Sequence, residues 1–207
     1  LAGLNASGKT QVTEPAACRD HTENMLRHFG VNIDITKDDE GRRVISLEGG
    51  QTLQGCAVDV PADPSSAAFP VVAALLCPDS EVDVFGICYN ETRNGIYKTL
   101  IEMGADIEIL RSYDQGGETV VDMRVRGGKT LQGIDVPADR VPSMIDEFPV
   151  LAVAAACAEG TTRMVGLEEL RVKESDRLAL VAKGLAEAGV ELEEGADNLT
   201  IHGTGKP

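Results

Sequence analysis

The sequence predicts an α/β fold built from repeated helix–strand–helix–strand–strand units, and three observations predict it. The first is an internal repeat. Residues 49–63 read G-G-Q-T-L-Q-G-C-A-V-D-V-P-A-D, and residues 127–139 read G-G-K-T-L-Q-G-I-D-V-P-A-D. The second is an alternation of period. Small-residue apolar runs and Gly-terminated helical stretches exchange with short β-branched runs along the whole chain. The third is composition: 3% aromatic residues and no Trp leave Leu, Val, Ile and Ala to build the core of a 207-residue chain.

The elements follow in chain order. The first copy lacks most of its opening helix, so its recognisable parts are a helix ending at Gly30 and strands over 31–35 and 43–47. After the 49–63 motif, S-S-A-A-F-P-V-V-A-A-L-L-C (65–77) predicts a helix, and E-V-D-V-F-G-I (81–87) a strand. A second helix runs from 96 to Gly104, followed by strands over 106–110 and 120–125. The next copy repeats this order. A helix over 143–157 also carries Phe-Pro-Val, a strand covers 162–167, a helix runs from 177 to Gly189, and strands cover 190–194 and 198–202. A crossing strand of the V-D-V-P type leads from each copy into the next, which predicts mixed sheets packed on helices.

Residues 3–10, G-L-N-A-S-G-K-T, match the phosphate-loop pattern letter for letter. That loop needs a strand before it and a helix starting at its Lys. Aligned with its sister copies, the segment instead leaves a helix and enters a strand, so the repeat argues against a nucleotide-binding protein.

A formal charge of −15 opposes binding to nucleic acid or to an anionic membrane surface. No apolar run reaches bilayer-spanning length, and no basic region followed by an apolar one opens the chain. Cys18, Cys56, Cys77, Cys88 and Cys157 are scattered and odd in number, which fits a reducing, cytoplasmic setting without disulfides. Cys77 and Cys157 end apolar runs and are expected to pack as small apolar side chains. His21 and His28 have no further ligands near them in sequence, so no metal site is expected. The chain opens on Leu-Ala-Gly-Leu without an initiator Met and is expected to be part of something longer.

Three clusters carry candidate chemistry. In R-V-K-E-S-D-R (171–177), Lys173 and Arg177 lie about one turn apart at a helix start, where both can face one anion. Glu174 stands between them as a candidate proton shuttle, and Ser175 or Asp176 caps the helix, with Leu178, Val181, Ala182 and Leu185 as its buried stripe. The plainer alternative is a surface helix start with paired charges. Asp146 and Glu147 place two carboxylates where the sister copy has Ser-Ser-Ala-Ala, either as site residues or as complements to a helix dipole. Arg19, in C-R-D-H-T-E (18–23), holds a phosphate or belongs to a capping segment.

Taken together, R-V-K-E-S-D-R, R-D-H-T-E (19–23), N-E-T-R (90–93), V-P-A-D-P-S-S-A-A-F-P (60–70) and S-M-I-D-E-F-P-V-L-A (143–152) resemble the EPSP synthase family over essentially the whole chain. The 19–23 and 90–93 motifs are similar to those of its class II, glyphosate-tolerant branch. The resemblance implies an inverse α/β barrel of two domains, each of three repeats. Residues 1–61 then correspond to the last repeat of the N-terminal domain, and 62–207 to the first two of the C-terminal domain. It also implies transfer of the enolpyruvyl group of phosphoenolpyruvate to the 5-hydroxyl of shikimate 3-phosphate, releasing phosphate through a tetrahedral adduct, with no metal or organic cofactor. By motif, Asp146 orients or deprotonates the 5-hydroxyl, and Glu174 protonates and later deprotonates the transferred methylene. Lys173 bridges the substrates, Arg177 grips the phosphoenolpyruvate carboxylate, and Arg19 binds shikimate 3-phosphate. Some relatives have Asn four residues before the Lys where this chain has Glu169, and that contact is not carried over.

The family's N-terminal Lys-Ser…Arg and Ser-Ala-Gln segments and its C-terminal Asp-His-Arg motif are absent from residues 1–207. The chain is therefore expected to be an inactive fragment of a monomeric enzyme, with self-association open to the fragment. The alternatives are a UDP-GlcNAc enolpyruvyl transferase and a non-catalytic binding or structural remnant of the fold.

Overall fold

The computed structural model describes residues 1–16 and 18–207. Three sheets recur with one topology. The first copy holds β1 (Lys9–Thr13), α1 (His21–His28), β2 (Asp34–Lys37) and β3 (Arg43–Glu48), with sheet order β1-β3-β2. The second holds α2 (Pro64–Leu76), β4 (Glu81–Cys88), α3 (Gly95–Glu102), β5 (Asp106–Gln115) and β6 (Glu118–Arg126), ordered β4-β6-β5. The third holds β7 (Asp135–Val136), α4 (Phe148–Cys157), β8 (Glu159–Val165), α5 (Arg177–Glu187), β9 (Glu191–Glu194) and β10 (Asn198–Thr204), ordered β7-β8-β10-β9. In each copy the first strand of the hairpin lies at an edge and the returning strand sits between its two neighbours.

Pairing within the three sheets is antiparallel except at the crossing strands. β7 runs parallel to β8, Asp135 opposite Arg163 and Val136 opposite Met164. The corresponding crossing in the second copy is only a single parallel bridge, Ala62 to Ile87. Lys9 opens β1 after a short 3-10 turn at Ala2–Asn5, so the Gly-Lys-Thr segment enters a strand, as the repeat requires.

Helices α1, α3 and α5 run out into Gly30, Gly104 and Gly189, whose φ angles of 82°, 92° and 86° lie in the left-handed region where a Cβ is costly. Helix starts follow the sequence less closely. The expected helix over 143–157 begins at Phe148, and the residues before it form 3-10 turns at Ala138–Ser143 and Ile145–Glu147. Met144 breaks the run at φ −154°, where its buried side chain packs onto α3. Gly95 permits that approach, because a Cβ there would run into Ser143 Oγ and Met144. The expected strand over 31–35 pairs only from Asp34, although Val31 and Ile33 are buried. Cys77 is exposed and Cys157 half-buried, since both lie where the helix releases the chain toward the surface. Cys88, within β4, is the buried thiol.

The core divides unequally. One large cluster joins α2, α3 and α4 to the second and third sheets, with Val71, Leu100, Met123, Leu151 and Ile201 at 0–2% exposure. A separate small cluster of Leu4, Leu26, Val31 and Ile33 holds the first copy. Residues 51–61, without regular secondary structure and mostly exposed, connect them. Among the described residues no helix is long and apolar enough to cross a membrane.

Candidate functional site

In every copy the connection from β1, β4 or β8 into the following helix carries a cation. Arg19 precedes α1, Arg93 precedes α3, and Lys173 and Arg177 lie at the start of α5. The third of these connections is the longest and contains a 3-10 turn, Glu168–Val172. Asp176 closes it as the N-cap of α5, its carboxylate accepting from Ala179 N at 2.9 Å. Leu178 and Ala182 are fully buried beneath that helix, with Val181 and Leu185 packed partly against the same core. Arg171 turns away from the others, pairing with Asp176 at 3.0 Å and Glu194 at 2.8 Å.

Asp146 is where the rest converge. Arg19 Nη2 donates to its Oδ2 at 2.9 Å across 127 residues of sequence. Arg177 Nη1 donates to Oδ1 at 3.2 Å, and Lys173 Nζ lies 3.7 Å from the same oxygen. Burial alone would raise the Asp146 carboxyl. The hydrogen bond from Arg19 and the charges of Lys173 and Arg177 outweigh it and hold the group below its ordinary range. Lys173 also pairs with Glu169 at 2.6 Å, the main reason its ammonium is raised. Glu174 is exposed and bonded to Arg177. Local backbone hydrogen bonding, then that Arg, hold its carboxyl low and ionised.

Glu147, the next residue, lives in the opposite environment. It is 2% exposed and hydrogen-bonded to Ser65 on α2, while Arg93 Nη2 lies 3.9 Å away. Arg93 also donates to Ser65 Oγ at 2.8 Å and to Asp63 at 3.3 Å. Burial raises the Glu147 carboxyl despite these partners. Two adjacent carboxylates are thus split. Asp146 faces the cation cluster, and Glu147 anchors the turn that carries it to α2 and α3. Neither Glu147 nor Asp146 caps α4 with its side chain. The sequence alone does not reveal the Arg93–Ser65–Glu147 tether, although all three lie in motifs it singles out.

The structure therefore brings Arg19, Asp146, Lys173, Glu174 and Arg177 together. Three cations within reach of one another can hold a small, multiply charged anion, and an ionised carboxylate beside them can accept a proton. His28 contacts the Ala57 carbonyl at 3.0 Å and stands apart from His21. His21 instead faces Glu118 at 2.8 Å, a partner that only the fold supplies.

Two of the three strand-to-helix connections of this α/β chain thus gather cations around one carboxylate. Residues 1–206 match the family model of EPSP synthase (3-phosphoshikimate 1-carboxyvinyltransferase), and the chain belongs to that family. It is 60% identical over 209 residues to the 3-phosphoshikimate 1-carboxyvinyltransferase of Methylorubrum populi, covering 100% of this chain and 46% of that protein. Against the corresponding protein of Paramagnetospirillum magneticum it is 58% identical, again over 46% of the relative. Among solved structures, EPSP synthase from Acinetobacter baumannii superposes with a TM-score of 0.91 at 46% identity, covering 99% of this chain and 45% of that one. The enolpyruvyl transferase NikO from Streptomyces tendae, at 19% identity and a TM-score of 0.67, shares the fold. The chain spans about half the length of the curated relatives it matches.

Proposed function

We propose that this chain supplies part of the active site of an enzyme that transfers the enolpyruvyl group of phosphoenolpyruvate to the 5-hydroxyl of shikimate 3-phosphate, releasing phosphate. The observation that carries the proposal is the convergence of Arg19, Lys173 and Arg177 on Asp146 from opposite ends of the sequence. Both substrates are multiply charged anions, and such a cluster binds them through charge-assisted hydrogen bonds. Arg19 binds shikimate 3-phosphate, Arg177 grips the phosphoenolpyruvate carboxylate, and Lys173 bridges the two. Asp146 orients or deprotonates the 5-hydroxyl. Glu174 gives a proton to the methylene carbon as the adduct forms and takes one back as it collapses. For the first step Glu174 must gain a proton; local backbone hydrogen bonding and then Arg177 hold its carboxyl low, and a bound anion that draws Arg177 away removes the second of these.

The same proposal extends to architecture. Residues 1–61 form the last repeat of an N-terminal domain and 62–207 the first two repeats of a C-terminal one, in an inverse α/β barrel. The two separate hydrophobic clusters and the shared sheet order support that division. The enzyme works as a cytoplasmic monomer.

A chimera tests the reaction. Residues 1–207 replace the matching segment of the Methylorubrum populi relative, and phosphate release is followed with phosphoenolpyruvate and either acceptor. Turnover with shikimate 3-phosphate and none with UDP-GlcNAc is expected. A folded chimera that uses the nucleotide sugar, or neither acceptor, sinks the proposal. Calorimetry with shikimate 3-phosphate isolates the binding step, and Arg19→Ala is expected to weaken it at least about tenfold.

A further inference from the structure

His21, Cys88 and Glu118 come from three elements, α1, β4 and β6, and their ligand atoms all lie within 4.8 Å of one another. His21 Nδ1 and Glu118 Oε1 are 2.8 Å apart. Cys88 is 8% exposed, the Glu118 side chain 12% and the His21 side chain 34%, so the cluster is walled on two sides and reachable from the third. An outer layer orients it. Asn90 Nδ2 donates to Glu118 Oε2 and to Asp20 Oδ1, each at 2.7 Å, and Asn90 is itself fixed by accepting from Thr92 N and Oγ1. Helix α1 and the second sheet meet closely here. Gly117 takes φ +82° at the β5–β6 turn, and a Cβ there would come within 3.0 Å of the Asn24 carbonyl oxygen on α1.

We propose that His21, Cys88 and Glu118 form a binding site for a borderline-soft divalent metal ion, zinc by ligand chemistry, that clamps α1 to the second sheet. A thiolate, an imidazole and a carboxylate suit Zn²⁺ in preference to Mg²⁺ or Ca²⁺, which require oxygen-rich shells. Tetrahedral zinc sets its ligand atoms roughly 3.3–3.8 Å apart, given metal–ligand lengths of about 2.0–2.3 Å. The present cluster brackets that spacing, and side-chain adjustments of about 1 Å reach it. A water fills the fourth position on the open His21 side. On binding, the Cys88 S–H bond breaks and its proton leaves to solvent, while the sulfur pair goes to the metal. Without metal the His21 Nδ1–H donates to the Glu118 carboxylate; on binding that proton leaves to solvent and Nε2 takes one up, so that the Nδ1 pair is free for the metal. Asn90 plays the outer-layer part, orienting the Glu118 carboxylate. His21 lies two residues after Arg19, so the clamp also fixes the reach of Arg19 to Asp146.

Cobalt(II) titration of the full chain tests the site, in a background carrying Cys18→Ser, Cys56→Ser, Cys77→Ser and Cys157→Ser. One ion per chain with a thiolate-to-cobalt charge-transfer band is expected, displaced by zinc chloride. Cys88→Ser abolishes the band, His21→Gln and Glu118→Gln weaken binding at least about tenfold, and Asn90→Ala about tenfold. Zinc raises the melting temperature of the native chain relative to EDTA but leaves that of Cys88→Ser unchanged. Absence of the band, or a band that survives Cys88→Ser, overturns the proposal. If the variants do not fold, zinc-edge X-ray absorption of the native chain decides. A first shell with one sulfur supports the site, and a shell of oxygen and nitrogen alone overturns it.

Discussion

The second and third copies share a strand order and a V-P-A-D opening, yet only the third carries a candidate catalytic cluster. The difference lies in two connections. Asp63 leads directly into α2 at Pro64, with Ala67 and Ala68 buried just before Phe69. In the third copy extra residues separate Asp139 from Phe148, and the positions before that Phe are Asp146 and Glu147. Likewise residues 89–94 join β4 to α3, whereas the longer 166–176 joins β8 to α5 and supplies Glu169, Lys173 and Glu174. The second copy uses the positions before its Phe for packing, whereas the third gives Asp146 to the cation cluster and buries Glu147 as the anchor beneath it. Sites grafted onto repeats in this way leave the core intact.

The comparison breaks most visibly at catalysis. In the chimera, Glu174→Gln is expected to lower kcat by about 10²–10⁴-fold, the usual worth of a positioned acid–base group. Asp146→Asn is expected to fall in the same range. Arg93→Lys, at the corresponding connection of the second copy, should change stability more than kcat. Equal losses in kcat at Arg93 and at Glu174 would show that the second copy shares the chemistry, contrary to the division drawn here.

The next effect is structural. Arg93→Ala strands the Glu147 carboxylate, whose side chain is 1% exposed, with Ser65 as its remaining partner. Breaking a buried pair from one side costs about 3–5 kcal/mol. Urea unfolding of Arg93→Ala, Glu147→Ala and the double variant measures it, and the double variant should cost less than the sum of the singles. Additive costs would mean that the tether is not a unit.

Adjacent carboxylates should then give opposite pH dependences. The folded Asp146 titrates below its ordinary 3.8, so its contribution is present above that value and is lost as pH falls through the lower folded value. Glu147 titrates above its ordinary 4.5. Its contribution is present below 4.5 and is lost as pH rises through the higher folded value. Unfolding free energies of Asp146→Asn and Glu147→Gln, followed from acid to neutral pH, should each lose one of these slopes. Slopes of the same sign would contradict the split between exposed cluster and buried anchor.

These contrasts also mark what the sequence could reveal. The repeat, the Gly stops and the cations of 171–177 are local patterns, and each reappears at Gly104, Gly189 and the start of α5. The helix beginning was misplaced because Met144 obeys its packing on α3, a contact that no period encodes. Asp146 was recognisable as out of pattern, but its partnership with Arg19 spans 127 residues and depends on how the copies close. The proximity of Cys88 and Glu118 to His21 is illegible for the same reason, since both reach it only through the sheet.

The smallest effect tests the V-P-A-D openings themselves. Asp63 caps α2, its carboxylate accepting from Ser65 N at 3.3 Å and from Ser66 N at 2.9 Å. Asp139 has the same neighbours in sequence but lies in a 3-10 turn with no side-chain cap bond. Removing an N-cap costs about 1 kcal/mol, while an exposed side chain outside such a role stays within about 0.5 kcal/mol. Asp63→Ala should therefore shift the urea midpoint clearly, and Asp139→Ala hardly at all. Equal shifts would mean that Asp139 still initiates the α4 helix, and that the residues between it and Phe148 have not taken over that start to position Asp146.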